Sequence, residues 1–264
     1  MKLGFIGAGE MGGAIIRGLL NTGRKPEEIL ASVRTPQKAS LLSSTLGIGA
    51  YTDNNRVITQ ADRIFLAVKP VQMPQVLSEI ASAQIAPKPI ISMALGWTVE
   101  KIQQVLPGWP VIRIMPNTPL CVGQGVTLFQ FAKQVPDAAR QEVRNLFEGM
   151  GQTYEIAPEF FDAATALSGS GPAFVYQFID ALARGGQAQG LDEVTARELA
   201  IYTVRGAATL AAHAKITPAQ LVRQVATPGG CTAAGMDVMG PSDFDEIVAK
   251  TIAATTQKAR DVRK

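Results

Sequence analysis

Two groups of residues, near opposite ends of the chain, have the types and spacing to do chemistry. Gly7-Ala8-Gly9-Glu10-Met11-Gly12 directly follows an apolar run and opens a helical pattern. In that context a Gly-x-Gly-x-x-Gly signature cradles the pyrophosphate of a dinucleotide. Gly7 would allow the tight turn, Gly9 the approach of phosphate to backbone, and Gly12 close packing of helix on strand; a purely structural glycine turn is the alternative. The second group spans residues 226–235, Ala-Thr-Pro-Gly-Gly-Cys-Thr-Ala-Ala-Gly. A Pro-Gly-Gly turn exposes successive backbone N–H groups, here flanked by the hydroxyls of Thr227 and Thr232. Such a nest with a helix start behind it suits a small carboxylate. Together the two groups describe a small-molecule oxidoreductase.

The residues between them refine that chemistry. Where a dinucleotide site that prefers NAD carries a carboxylate after its second strand, this chain has Ser32, Arg34 and Thr35. Glu27 and Glu28 come too early to serve. A hydroxyl and a guanidinium suit a 2′-phosphate, so NADPH is the expected cofactor, with NADH possible. The alternative for Arg34 is a solvated surface side chain. Lys69 and Asn117 each fall where a strand ends, the side on which parallel sheets bind ligands. Asn117 before Thr118-Pro119 also fits a local cap. Val122-Gly123-x-Gly125 offers further backbone donors or a flexible turn. His213, the one histidine, sits inside an Ala-rich helical pattern and reads as a helix residue rather than a base.

Composition bounds the possibilities. The chain has 264 residues, 47% hydrophobic and 18% charged, enough for two cores of ordinary domain size. Its 25 basic and 22 acidic residues are scattered and leave a net charge of +3, which is no nucleic-acid footprint. No apolar run approaches the roughly 20 residues of a membrane span. Residues 1–6 run straight into a strand pattern with no basic leader. Cys121 and Cys231 lack metal-type pairing and argue against a disulfide framework. A cytoplasmic enzyme without a metal site is expected.

The elements that must position these residues alternate in the first part of the chain. Residues 2–6, 29–33, 63–68, 89–93, 111–115, 126–129 and 152–156 read as strands. Residues 12–21, 36–46, 72–80, 98–106 and 137–150 read as helices, implying a mostly parallel, doubly wound sheet. From about residue 157 every apolar pattern is helical: 172–189, 193–215, 218–225, 232–239 and 243–260. The Ala-rich second of these helices would let another helix approach closely. Slender helices of this kind usually bury their apolar faces against a second copy, so a homodimer is expected.

With those residues in view, the chain resembles the pyrroline-5-carboxylate reductase family over nearly its whole length. The resemblance rests on five motifs in order: Phe5-Ile6-Gly7-Ala8-Gly9-x-Met11-Gly12, Leu66-Ala67-Val68-Lys69-Pro70, Arg113-Ile114-Met115-Pro116-Asn117-Thr118-Pro119, Leu167-Ser168-Gly169-Ser170-Gly171-Pro172-Ala173 and Thr227-Pro228-Gly229-Gly230-Cys231-Thr232. It implies an α/β fold, a Rossmann-type domain over residues 1–157 followed by an all-α dimerisation and substrate-binding domain over residues 158–264. It implies NAD(P)H-dependent reduction of the cyclic imine 1-pyrroline-5-carboxylate to L-proline, near a dimer interface, in dimers or rings of dimers.

By the same resemblance the amides of Gly230 and Cys231 hold the substrate carboxylate, and Thr232 hydrogen-bonds the ring nitrogen. The expected cofactor set is Gly7, Ala8, Gly9, Glu10, Met11, Gly12, Ser32, Arg34, Asn54, Ala67, Val68, Lys69 and Asn117. The expected substrate set is Val122, Gly123, Gly229, Gly230, Cys231 and Thr232, with Thr232 catalytic. The family loop usually has two consecutive threonines, and here the first is Cys231, a packing residue or a reactive thiol. The chemistry is self-consistent, because a protonated imine needs positioning and electrostatic complementarity more than a proton-transfer group. A related β-hydroxyacid or imine reductase would require a catalytic lysine in the first helix of the second domain, and residues 172–189 contain none. A non-catalytic NADPH-binding protein would not need the anion nest.

Overall fold

A computed structural model describes residues 1–262 of the chain. They fall into two compact units, Met1–Ser170 joined by the stretch from Thr255 onward, and Gly171–Ala254.

The first unit is built on one eight-stranded sheet. Its strands are β1 Leu3–Ile6, β2 Ile29–Ser32, β3 Gly49–Tyr51, β4 Arg63–Leu66, β5 Ile90–Ser92, β6 Val111–Pro116, β7 Gly125–Phe131 and β8 Gly151–Glu155. The spatial order β3-β2-β1-β4-β5-β6-β7-β8 reverses direction between β1 and β4, so a crevice opens beyond their carboxyl ends. Strands β1 to β6 pair in parallel, whereas β7 lies antiparallel to β6 and parallel to β8. Connection length decides this. Between β6 and β7 stands only the short turn around Thr118–Val122, too short for a parallel crossover, while β7 reaches β8 through a helix.

Helices α1 Glu10–Asn21, α2 Pro36–Leu46, α3 Asn54–Gln60, α4 Met73–Ser82, α5 Val99–Val105 and α6 Asp137–Glu148 cover the sheet. Leu3, Phe5, Ile15, Ile16, Ile64 and Phe65 are fully buried among them, and the rings of Phe5 and Phe65 stack at 4.4 Å. Thr35 caps α2 by accepting from the Lys38 N–H, and Thr98 caps α5 through Lys101 N–H. A short helix α7, Phe161–Ala164, runs into a π-helical turn over Thr165–Gly169. The buried Arg113 of β6 anchors this segment: its guanidinium lies 4.0 Å over the Phe161 ring and 3.8 Å from the Asp162 carboxylate.

The second unit is all helix: α8 Gly171–Ala188, α9 Glu193–His213, α10 Pro218–Val225 and α11 Cys231–Met239. The final helix, α12 Phe244–Asp261, begins in this unit. Asp192 caps α9, and hydrogen bonds from Thr195 lower its carboxyl pKa. Only alanines, Ala183, Ala196 and Ala200, are buried in α8 and α9, whereas Tyr202 and Leu210 are 63% and 60% exposed.

The expected fold class is the observed one, and most element bounds agree to within two or three residues. Sequence periodicity missed β3, α3 and the 161–169 segment. Three strand residues, or helical stretches of seven and nine residues, carry too few positions for a period to register.

Candidate dinucleotide cleft and anion loop

The glycine signature is a connector forced by space. Gly7 sits at φ +88°, and a Cβ there would stand 2.7 Å from the Ala67 carbonyl oxygen. At Gly12 a Cβ would meet the Gly7 carbonyl at 2.8 Å and the Ala67 Cβ at 2.9 Å, so only glycine lets α1 pack this closely. Gly9 differs, since a Cβ there would meet nothing within 4 Å. That side of the turn is open to a ligand. Gly9 is also the N-cap of α1 and has no side-chain cap, so the first-turn N–H groups of Glu10, Met11 and Gly12 remain available to an anion.

The turn opens into a cavity of about 580 Å³. Its walls bring together Gly7, Ala8, Gly9, Ser32, Arg34, Asn54, Ala67, Val68 and Lys69 from the expected cofactor set. The donor set suits a dinucleotide phosphate: an open glycine turn at a helix start, with two cations farther along. Arg34 and Lys38 line the same wall beside Thr35. Sequence reasoning missed Lys38, Thr52, Gln72 and Gln75. Lys38 was legible in principle, because it stands one helical turn past Arg34 at the start of α2. The Gln75 contribution was not, since α4 reaches the cavity only through the fold.

Two expected cofactor residues also bond within the protein. Ser32 is 1% exposed and its hydroxyl points to the Phe5 carbonyl at 3.5 Å, so it closes the floor of the cavity. Asn117 is not among the cavity residues. Its Nδ2 donates to the Ser168 carbonyl at 2.9 Å, and its Oδ1 accepts from the Val126 N–H at 2.8 Å. Asn117 is the N-cap residue of the following 3-10 turn, but its side chain caps no turn and is taken up by these two bonds. Lys69 N-caps a 3-10 turn whose Pro70 carbonyl accepts from the Trp97 indole at 3.1 Å. Val122 ends the turn after β6 and is 75% exposed, and Gly123 follows at φ +71°.

In the second unit the anion loop has the expected turn. Gly229 takes φ +74°, and a Cβ on Gly230 would stand 2.8 Å from the Thr227 hydroxyl. Gly230 is the N-cap of α11, and its own N–H is already committed to the Thr227 carbonyl at 3.0 Å. The N–H groups that a carboxylate would meet are therefore those of Cys231 and Thr232, at the start of a nine-residue helix without a side-chain cap. Cys231 is an exposed free thiol. His213, the last residue of α9, turns Nδ1 back to the Thr209 carbonyl at 2.8 Å, so Nδ1 donates its N–H there. Among the described residues there is no metal-type cluster of His, Cys, Asp and Glu, and no helix is long and apolar enough to cross a membrane.

The chain is similar to known proteins over its whole length. A family model described as pyrroline-5-carboxylate reductase dimerisation matches residues 158–262, and one described as NADP oxidoreductase, coenzyme F420-dependent, matches residues 2–96. The pyrroline-5-carboxylate reductase of Synechocystis is 33% identical over 265 residues, covering 100% of this chain and 99% of its own. The crystal structure of Plasmodium falciparum pyrroline carboxylate reductase with NADP bound is similar at a TM-score of 0.91, with 28% identity and coverage of 100% and 98%. A pyrroline-5-carboxylate reductase structure from Coxiella burnetii gives 0.92 with 29% identity, at the same coverage.

Proposed function

The chain belongs to the pyrroline-5-carboxylate reductase family, and we propose that it reduces 1-pyrroline-5-carboxylate to L-proline, the last step of proline biosynthesis, as a cytoplasmic homo-oligomer preferring NADPH. The observation that carries this reading is the open glycine turn leading into a cavity walled by Arg34, Thr35 and Lys38. NADPH, when bound, supplies the hydride that adds to the imine carbon.

The residues of the chain divide the remaining work. The first-turn N–H groups of α1, from Glu10 to Gly12, hold the pyrophosphate, and Arg34 and Lys38 hold the 2′-phosphate. Asn54, Ala67, Val68 and Lys69 line the rest of the dinucleotide, with Asn117 bracing the turn that carries Val122 and Gly123. The N–H groups of Cys231 and Thr232 bind the substrate carboxylate after the Gly229-Gly230 turn. The Thr232 hydroxyl accepts from the protonated ring nitrogen and keeps the C=N bond oriented. This requires no proton donor, because the nitrogen already carries its proton when the carbon accepts hydride.

In domain terms residues 1–157 bind the cofactor, and residues 158–264 form the dimerisation and substrate-binding part, the last two of them lying outside the described residues. The absence of lysine from α8 disfavours a hydroxyacid-type mechanism. The deciding experiment is NADPH oxidation by purified protein on addition of pyrroline-5-carboxylate, with proline identified as product. No oxidation, or oxidation without proline, overturns the proposal.

A further inference from the structure

Glu79 of α4 touches two residues of the cofactor cavity without lining it. Its Oε2 accepts from Asn54 Nδ2 at 2.6 Å, and its Oε1 accepts from Gln75 Nε2 at 2.8 Å. Asn54 opens α3, and Gln75 stands one helical turn before Glu79 on α4, so one carboxylate clamps two helices. Glu79 itself borders a separate outer depression of about 350 Å³ with Asn55, Thr59 and Ser78.

The orientation of both amides follows from chemistry. A carboxylate only accepts hydrogen bonds, so each amide must turn its nitrogen toward Glu79. Each then keeps an oxygen and one N–H for the cavity that both residues line. A free amide oxygen beside a free amide N–H is the side-chain pattern that pairs with the 6-amino group and a ring nitrogen of adenine. Arg34 and Lys38, which line the same cavity, carry donors alone and suit phosphate. Phosphates carry no donor for an amide oxygen, whereas the adenine amino group does.

We propose that Glu79 is a positioning residue that holds the Asn54 and Gln75 amides with their oxygens toward the cavity, so that this wall reads the 6-amino group of the cofactor's adenine. The inference rests on the reading of the 580 Å³ cavity as the dinucleotide site. In hypoxanthine an oxygen replaces the amino group and would face the amide oxygens, so the deaminated cofactor should bind poorly.

The test is equilibrium binding, read by tryptophan fluorescence, of NADPH and of reduced nicotinamide hypoxanthine dinucleotide phosphate to the full-length protein. The wild type should favour the adenine form by about tenfold or more, the range of one good amide–base pair. Glu79→Gln can satisfy only one of the two amides as an acceptor and lets the other turn over. It should weaken NADPH by about tenfold while hardly moving the hypoxanthine form, so that the preference collapses. Gln75→Ala, on an exposed helix face, should lower the same preference and serves if Glu79→Gln misfolds. Arg34→Ala is the control and should weaken both ligands alike. If Arg34→Ala leaves both untouched, the cavity reading fails and the inference with it. If that control behaves but the wild type shows no preference, or Glu79→Gln weakens both ligands equally, the inference alone is overturned.

Discussion

The side-chain amide of Asn117 donates to the carbonyl of Ser168, 51 positions along the chain, at 2.9 Å. Its other end accepts from Val126 N–H, so one residue that is 6% exposed ties the end of β6 to the start of β7 and to the π-helical turn. Asn117→Ala would leave the partly buried Ser168 carbonyl and Val126 N–H without this partner. The expected loss of stability is about 2–4 kcal/mol by denaturant unfolding, with NADPH affinity little changed. Asn117→Asp keeps the acceptor but sets a carboxylate against the Ser168 carbonyl, so it should rescue little. Lost NADPH affinity with stability intact would show instead that the amide serves the cofactor.

Cofactor choice should reside in two cations rather than one. Arg34 and Lys38 share a cavity wall, Arg34 after β2 and Lys38 in the first turn of α2. Losing a charge-assisted contact costs about 1.5–3 kcal/mol, so each alanine variant should raise the NADPH Michaelis constant roughly ten- to a hundredfold. NADH should be barely affected. An equal effect on both cofactors removes the 2′-phosphate from this wall.

Assembly should depend on the outer face of α9. Tyr202, Gly206, Leu210 and His213 form one stripe along that helix, bordering a shallow groove of about 550 Å³. An apolar stripe beside a core of buried alanines needs a second surface to cover it. Sedimentation should therefore report a dimer or a larger species. Leu210→Glu should shift it toward smaller species, and a stable, active wild-type monomer would sink the idea.

Two variants test the division of labour in catalysis. Thr232→Ala should slow hydride transfer by the roughly ten- to a hundredfold expected from one hydrogen bond to a charged group, without loosening NADPH. His213→Ala should be milder, because its Nδ1 proton is spent on the Thr209 carbonyl and no proton transfer is assigned to it. Single-turnover rates decide the ranking. A more damaging His213→Ala would mean that the chemistry uses a base.

Acid should loosen the start of α9. The Asp192 carboxylate accepts from Thr195, which lowers its pKa below the ordinary 3.8. A depressed folded-state pKa gives a contribution present above about pH 4 and lost as pH falls through the lowered value. Asp192→Asn should flatten this part of the acid unfolding profile, and an identical profile would show that the cap carries no such linkage.

The sequence by itself determined what depends on neighbours in the chain. The glycine signature between an apolar strand and a helix, the alternation of periods, the switch to helical texture near residue 157 and the Pro-Gly-Gly turn are all local. Each follows from backbone sterics or side-chain period, and each stands where it was expected. Tertiary structure decided what depends on distant partners. Pairing direction at β7 follows from where the short 118–122 turn returns the chain, and no periodicity encodes it. Asn117 looked equally like a local cap and a ligand residue, because its type fits both, yet its side chain caps no turn and bridges Ser168 and Val126, partners that no local pattern names. Gly230 read as a donor to the substrate, but its N–H closes its own turn on the Thr227 carbonyl, which leaves the N–H groups of Cys231 and Thr232 uncapped at the start of α11. Gln75 and Glu79 left no motif, since a carboxylate that orients two amides on separate helices exists only once those helices have packed. Hydrogen-bond partners are selected by geometry across the fold, whereas the sequence selects only which groups are available to be partnered.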